Sequence, residues 1–151
     1  MARPNFENLQ VYKLAERLAD MVWELVLTWN PFARSTVGGQ LVEAADSVGA
    51  NIAEGAGRGA FADNRRFVRI ARGSLNETQH FLRRAYRRKL LTEAQIAQLK
   101  PVIDELGPRL NGYLRSIGPQ KTSVPVTVLA RSATQNNGQR TTDNGQLTKH
   151  G

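Results

Sequence analysis

Residues 64–89 read NRRFVRIARGSLNETQHFLRRAYRRK, and our prediction of the fold starts from this segment. Its apolar and small residues recur every three or four positions, which is the period of one face of an α-helix. No alternating strand pattern competes with that period in the first 118 residues. We therefore predict an amphipathic third helix that starts after Asp63, with a core face formed by Phe67, Ile70, Ala71, Ser74, Leu75, Thr78, Phe81, Leu82 and Ala85.

Three other segments have the same helical period. The first helix covers residues 8–29 and stops at Asn30-Pro31, and the second begins near Ser35, a residue type favoured as an N-cap, and ends in the glycine-rich run 55–59. The fourth opens with Thr92 in a capping-box pattern and continues to residue 117. Two internal prolines, Pro101 and Pro108, predict a kink or break in it.

The connections between these helices are short, so sequential helices run antiparallel. We predict an all-α, antiparallel, up-down-up-down four-helix bundle over residues 1–118, followed by a polar, flexible C-terminal extension over residues 119–151. Within that extension, residues 124–129 are β-prone and could add as a strand to a partner.

Composition and motifs give no indication of chemistry. The chain has no cysteine, its N-terminus has no signal-peptide pattern, and no apolar stretch is long enough to cross a bilayer, so we expect a cytoplasmic protein with no membrane partner. The glycine run 55–59 lacks the strand and the GK[ST] sequence of a phosphate loop, and His80 and His150 are far apart. We predict no catalytic residue, no metal site and no cofactor.

The positive charge is concentrated in one segment. Residues 58–89 contain ten basic residues, nine of them arginine, against Asp63 and Glu77, so they account for the chain's whole net charge of +8. At about 100° per residue, five arginines fall on the side of the third helix opposite its predicted core and form a row about 33 Å long. We call this row the arginine ridge: Arg65, Arg69, Arg72, Arg83 and Arg87. Three more arginines flank it: Arg66, Arg84 and Arg88.

A ridge of one charge sign, rich in arginine, is typical of a surface that binds phosphates. We interpret it as a nucleic-acid interface of low sequence specificity and steep salt dependence. Two alternatives stay open, which are an acidic protein partner and a plain solvated face.

The first helix has a second apolar face opposite its core stripe. It consists of Tyr12, Ala19, Trp23 and Leu27. A helix that is apolar on two sides is either central in a large core or shared between subunits, and a four-helix bundle has no central helix. We therefore predict a homo-oligomer that uses this face.

Two signatures indicate a family. Residues 47–55 (SVGANIAEG) and 66–77 (RFVRIARGSLNE), together with residues 6–9 (FENL), resemble the four helix bundle protein family, whose members are encoded in intervening sequences of bacterial large-subunit ribosomal RNA genes. Related bundles are the accessory variability determinants of diversity-generating retroelements. The resemblance covers about residues 5–117 and implies a homopentamer with a non-enzymatic role, associated with RNA and a reverse transcriptase.

The resemblance leaves open whether the chain belongs to a retroelement or to a ribosomal RNA intervening sequence. Asn51, Glu54 and Gly55 match the family motif, and we interpret them as helix-packing residues. We expect Gly73 and Ser74 to allow close contact between helices. The alternative to an RNA-binding accessory protein is a structural homo-oligomer or protein-interaction module with no nucleic-acid partner.

Overall fold

The fold is given by a computed structural model that describes residues 5–119. A 3-10 turn, Phe6–Asn8, precedes four long helical segments. They are α1 (Gln10–Leu27), α2 (residues 31–56), α3 (Phe61–Arg87) and α4 (Glu93–Ser116). The predicted extension, including its β-prone residues 124–129, lies outside the described residues from residue 120 onward.

Each helix packs against two others, and together they enclose one core. The contacting pairs are α1 with α2, α2 with α3, α3 with α4, and α4 with α1. The side chains that are completely or almost completely buried come from all four helices: Leu18, Val22, Leu41, Val48, Ile52, Val68, Thr78, Leu106 and Leu110. The predicted all-α, antiparallel four-helix bundle is confirmed.

The corner between α1 and α2 is built by Asn30, not by Ser35. The side chain of Asn30 accepts a hydrogen bond from the backbone N–H of Ala33 at 2.9 Å, and Pro31 occupies the first helical position. Segment α2 then consists of an α-helical turn, Pro31–Ala33, a π-helical turn, Arg34–Gly38, and an α-helix, Gly39–Ala56. The predicted start near Ser35 is wrong because Asn30 and Pro31 already start α2.

Helix α2 lies close to α3 at Gly55. A Cβ atom on Gly55 would lie 2.6 Å from Asn64 Oδ1 and 2.9 Å from Phe67 Cβ, so only glycine fits between the two helices there. Gly73 has no atom within 4 Å of such a Cβ, so the expected close contact at Gly73 is wrong. Its neighbour Ser74 does make the contact, since its hydroxyl lies 2.9 Å from that of Ser47 on α2.

Helix α3 starts two residues before Asp63, at Phe61, and its buried face differs from the predicted one. The buried residues are Val68, Ala71, Ser74, Leu75, Thr78, Leu82 and Ala85. At about 100° per residue, the centre of this face is displaced by about 40° from Phe67 toward Val68. Phe67 and Phe81 are therefore half-buried, and Ile70, predicted in the core, is 42% exposed.

Helix α4 runs without interruption through both prolines. The capping box at its start is present, with Thr92 and Gln95 bonded to each other's backbone. Both prolines are exposed, and so are Ala97 and Asp104, the residues whose carbonyls they leave without a helical donor. Water satisfies such carbonyls on an exposed face, so the predicted break does not occur.

Candidate nucleic-acid interface

The arginine ridge lies on the outer side of α3 and leans toward α4. Four of its members are exposed and Arg65 is half-buried. The displacement of the core face turns the ridge toward the last helix, so that Arg65 Nη1 donates to the carbonyl of Ile117 at 3.0 Å. One turn farther along, Arg72 Nη1 donates to Asn111 Oδ1 at 3.2 Å. Arg65 thus caps the end of α4, and the ridge borders the α3–α4 groove.

The basic residues of segment 58–89 have few acidic partners. Within residues 5–119, only two of the ten have a carboxylate within 4.0 Å: Arg58 pairs with Glu54 at 2.7 Å, and Arg66 lies 4.0 Å from Asp63. The same two guanidinium groups lie over the ring of Phe67, at 4.9 and 4.7 Å from its centroid. No ridge arginine is neutralised by a carboxylate of the described residues, so the positive potential of the ridge faces solvent.

The flanking arginines do not form a single surface with the ridge. Arg84 and Arg88 line a shallow groove on the opposite side of α3, where Thr36 and Gln40 of α2 form the other wall. Arg66 is engaged with Phe67 at the start of the helix. The structure therefore divides the eight predicted nucleic-acid contacts into an α4-side ridge and an α2-side flank.

Two aromatic residues that the sequence analysis did not single out border the ridge. Phe61 and Tyr86, near the two ends of α3, are 52% and 43% exposed. At about 100° per residue both fall about 100–120° from Phe67, on the edge of the ridge that faces α4. Tyr86 shares its angle of about 100° with the buried Val68, so the helical period alone could not separate this ring from the core face.

Residues 7–112 match the family described as 23S rRNA-intervening sequence protein. The chain belongs to this family. A solved structure agrees in fold with this intervening sequence protein: a protein with unknown function from the S23 ribosomal protein family of Bacteroides thetaiotaomicron. It is 22% identical, has a TM-score of 0.62, and the match covers 70% of this chain and 99% of that one. No curated protein matches.

The predicted oligomer face of this intervening sequence protein is only partly exposed. The ring of Tyr12 packs edge-on against Phe6 at 4.9 Å and lies beside Gly49 of α2, and Ala19 is half-buried against the core. Trp23 and Leu27 are 53% and 49% exposed. Since they are one turn apart on α1, the accessible part of the face reduces to this pair.

The acidic residues of α2 have separate structural roles. Glu54 forms the exposed ion pair with Arg58, and Asp46 lies near Asp20 of α1. Burial, and secondarily the charge of Asp20, raise the pKa of Asp46. Asn51 donates from Nδ2 to the carbonyl of Ser47 at 2.8 Å, within its own helix. Gly55 therefore acts in helix packing, as predicted, whereas the hydrogen bond of Asn51 stays within α2 and Glu54 is a surface residue.

No arrangement for metal binding or membrane insertion is found within residues 5–119. No three histidine, aspartate or glutamate side chains of that segment come together as a metal site. None of its helices has the length and apolar character that crossing a bilayer requires.

Proposed function

We propose that this intervening sequence protein is a non-enzymatic, oligomeric nucleic-acid-binding protein whose preferred ligand is RNA. The observation that carries the proposal is a row of five arginines, four of them exposed, without a carboxylate partner among the described residues. Arginine side chains that are free of acidic neighbours bind phosphate oxygens through paired N–H donors. The family description, which refers to an intervening sequence of 23S rRNA, supports RNA over DNA.

Binding through phosphates predicts low sequence specificity and a steep loss of affinity with salt. The test measures anisotropy of a labelled single-stranded RNA over a series of salt concentrations. Arg69, Arg83 and Arg87, which make no side-chain hydrogen bond or ion pair within residues 5–119, are replaced together by alanine. Because each phosphate contact contributes about 0.7 to the slope of log K against log salt, the triple variant should flatten it by about 2.

A matched control removes the same charge elsewhere. Lys13, Arg17 and Arg34 are exposed on α1 and α2, and their triple alanine variant changes the net charge by the same amount. The control should keep the salt slope of the wild-type chain. Equal slopes for both triple variants, or no RNA binding at low salt, would contradict the proposal.

The exposed pair Trp23 and Leu27 supports self-association as part of the same proposal. Exposed aromatic patches are typical of interaction sites, and several copies together would multiply the number of ridges available to one RNA. We expect Trp23→Asp to reduce the mass measured by light scattering. Phe32→Asp, at an even more exposed aromatic, should leave that mass unchanged. If the mass of Trp23→Asp is unchanged, this face is not an oligomer interface.

The pentameric state and a reverse transcriptase partner rest on the resemblance to the accessory variability determinants. A reverse-transcriptase gene and a template repeat beside the gene, followed by co-elution of the two purified proteins, would support them. The second candidate function is a structural homo-oligomer with no nucleic-acid partner, which the Trp23 and Leu27 pair also favours. It predicts assembly without RNA affinity.

A further inference from the structure

The two exposed aromatic rings on α3 have a regular relation to the arginine ridge. Phe61 lies one helical turn before Arg65, and Tyr86 lies one turn after Arg83 and next to Arg87. Each ring thus neighbours a guanidinium that can hold a phosphate while the ring contacts the attached base. At 1.5 Å per residue the rings are about 37 Å apart along the helix.

Each ring lines a depression: that of Phe61 lies at the end of the bundle, where the α2–α3 connection, α3 and the end of α4 meet, and that of Tyr86 lies between α3 and α4. Phe61 lines the first with Tyr113 and Ile117, close to the carbonyl that Arg65 caps. Tyr86 lines the other with Arg83, Leu91 and Ile96, and its hydroxyl donates to Glu93 Oε1 at 3.3 Å. That second depression also contains Lys100 and Asp104, which pair with each other and add no net charge. The edge is therefore aromatic and basic, with concave space beside each ring.

We infer that this α3–α4 edge binds single-stranded RNA, with bases stacked on Phe61 and Tyr86 while the ridge arginines hold the phosphates. The inference deepens the proposed nucleic-acid function and rests on it. Stacking on an exposed ring needs a base whose face is free, which a single strand provides and a duplex does not. A duplex meets only the arginines. The edge therefore selects single strands, without reading their sequence.

The length of the edge sets the length of the strand. A stacked strand advances about 3.4 Å per nucleotide, so about eleven nucleotides separate the two rings, and fewer if the strand is extended. A twelve-nucleotide oligouridylate is long enough to reach both rings.

The experiment compares the affinity of the full chain for that oligouridylate and for a twelve-base-pair RNA duplex at one low salt concentration. Single strands should bind more tightly. Phe61→Ala and Tyr86→Ala should each weaken single-strand binding by about 5- to 150-fold, the effect of losing one base–aromatic stack, and leave duplex binding unchanged. Phe32→Ala, which removes an exposed ring on α2, is the matched control and should change neither affinity.

Conservative variants separate stacking from folding. Tyr86→Phe removes only the hydrogen bond to Glu93 and should keep the affinity for the single strand. Phe61→Trp and Tyr86→Trp should keep it too, and the fluorescence of the added tryptophan should be quenched by oligouridylate, whereas that of Phe32→Trp should not.

The outcomes distinguish the inference from the proposal beneath it. The stacking inference fails, and the proposed function stands, if three results occur together. Single strands and duplexes then bind equally, the ring variants bind like the wild-type chain, and the triple arginine variant does not bind. If the chain binds neither probe at low salt, both fail.

Discussion

Replacing Gly55 with alanine tests how closely α2 approaches α3. The new Cβ would lie 2.6 Å from Asn64 Oδ1, 2.9 Å from Phe67 Cβ and 3.1 Å from the backbone oxygen of Asn64. The amide of Asn64 can rotate away. The Phe67 Cβ and the backbone oxygen can move only if α3 itself shifts, so the substitution must separate the two helices.

The magnitude follows from two opposing effects. Overpacking of a close contact costs about 1–3 kcal/mol, and alanine in place of glycine inside a helix gains about 1 kcal/mol. Gly73→Ala is the matched control, because it makes the same exchange in mid-helix with nothing within 4 Å of the new Cβ. Gly55→Ala should lower the free energy of unfolding by up to about 2 kcal/mol. Gly73→Ala should raise it by about 0.5–1 kcal/mol.

The assay is urea unfolding followed by far-ultraviolet circular dichroism. Both variants are compared at one fixed protein concentration, because self-association adds to apparent stability. Equal slopes against urea allow the two midpoints to be compared directly. If Gly55→Ala stabilises the chain as much as Gly73→Ala does, the two helices are not in close contact at residue 55.

Three further predictions concern helix ends and one carboxylate. Asn30→Ala should lower the free energy of unfolding by about 1 kcal/mol, because it removes the N-cap of α2. Ser35→Ala should change it by less than about 0.5 kcal/mol. If thermal unfolding shows the larger loss for Ser35→Ala, Ser35 is the cap. Lys89 follows α3 with a φ of +63°, a backbone conformation that is strained for lysine and unstrained for glycine. Lys89→Gly should therefore raise the free energy of unfolding by about 1 kcal/mol and with it the melting temperature. A lower melting temperature would contradict the strain at Lys89. The pKa of Asp46 is raised above 3.8, so ionised Asp46 lowers stability at neutral pH, and this penalty disappears as pH falls through the folded pKa. Asp46→Asn should therefore stabilise the chain at pH 7, by less than about 1 kcal/mol because the side chain is exposed, and should melt like the parent below pH 3.8; a difference that persists in acid would point to packing instead.

Helical period and helix-end chemistry were sufficient to predict much of the fold. Alternation every three or four residues identified all four helices, and Thr92 with Gln95 identified the start of α4. These signals depend on interactions within one helix, and the sequence contains both partners of each interaction. The start of α2 was predicted wrongly because the sequence offers two candidate N-caps. Two competing caps, Asn30 and Ser35, lie five residues apart, and only a structure shows which side chain meets a free N–H.

The candidate interface was predictable in composition but not in orientation. The charge surplus of segment 58–89 and the alignment of its arginines follow from the sequence. The contacts of Arg65 with Ile117 and of Arg72 with Asn111 could not be predicted, because they join residues 52 and 39 positions apart. Likewise, nothing local distinguishes Gly55, which lies against α3, from Gly73, which lies against nothing.

A basic bundle of four amphipathic helices, with the positive charge on one of them, follows from the order of the residues alone. The rotation of that helix about its axis depends on packing in three dimensions. The volume and fit of the side chains between neighbouring helices turned the core face of α3 by about 40°, an angle that a periodicity of 3.6 residues leaves free. That rotation placed Ile70 at the surface and brought the arginine ridge, with Phe61 and Tyr86, to the edge of α4.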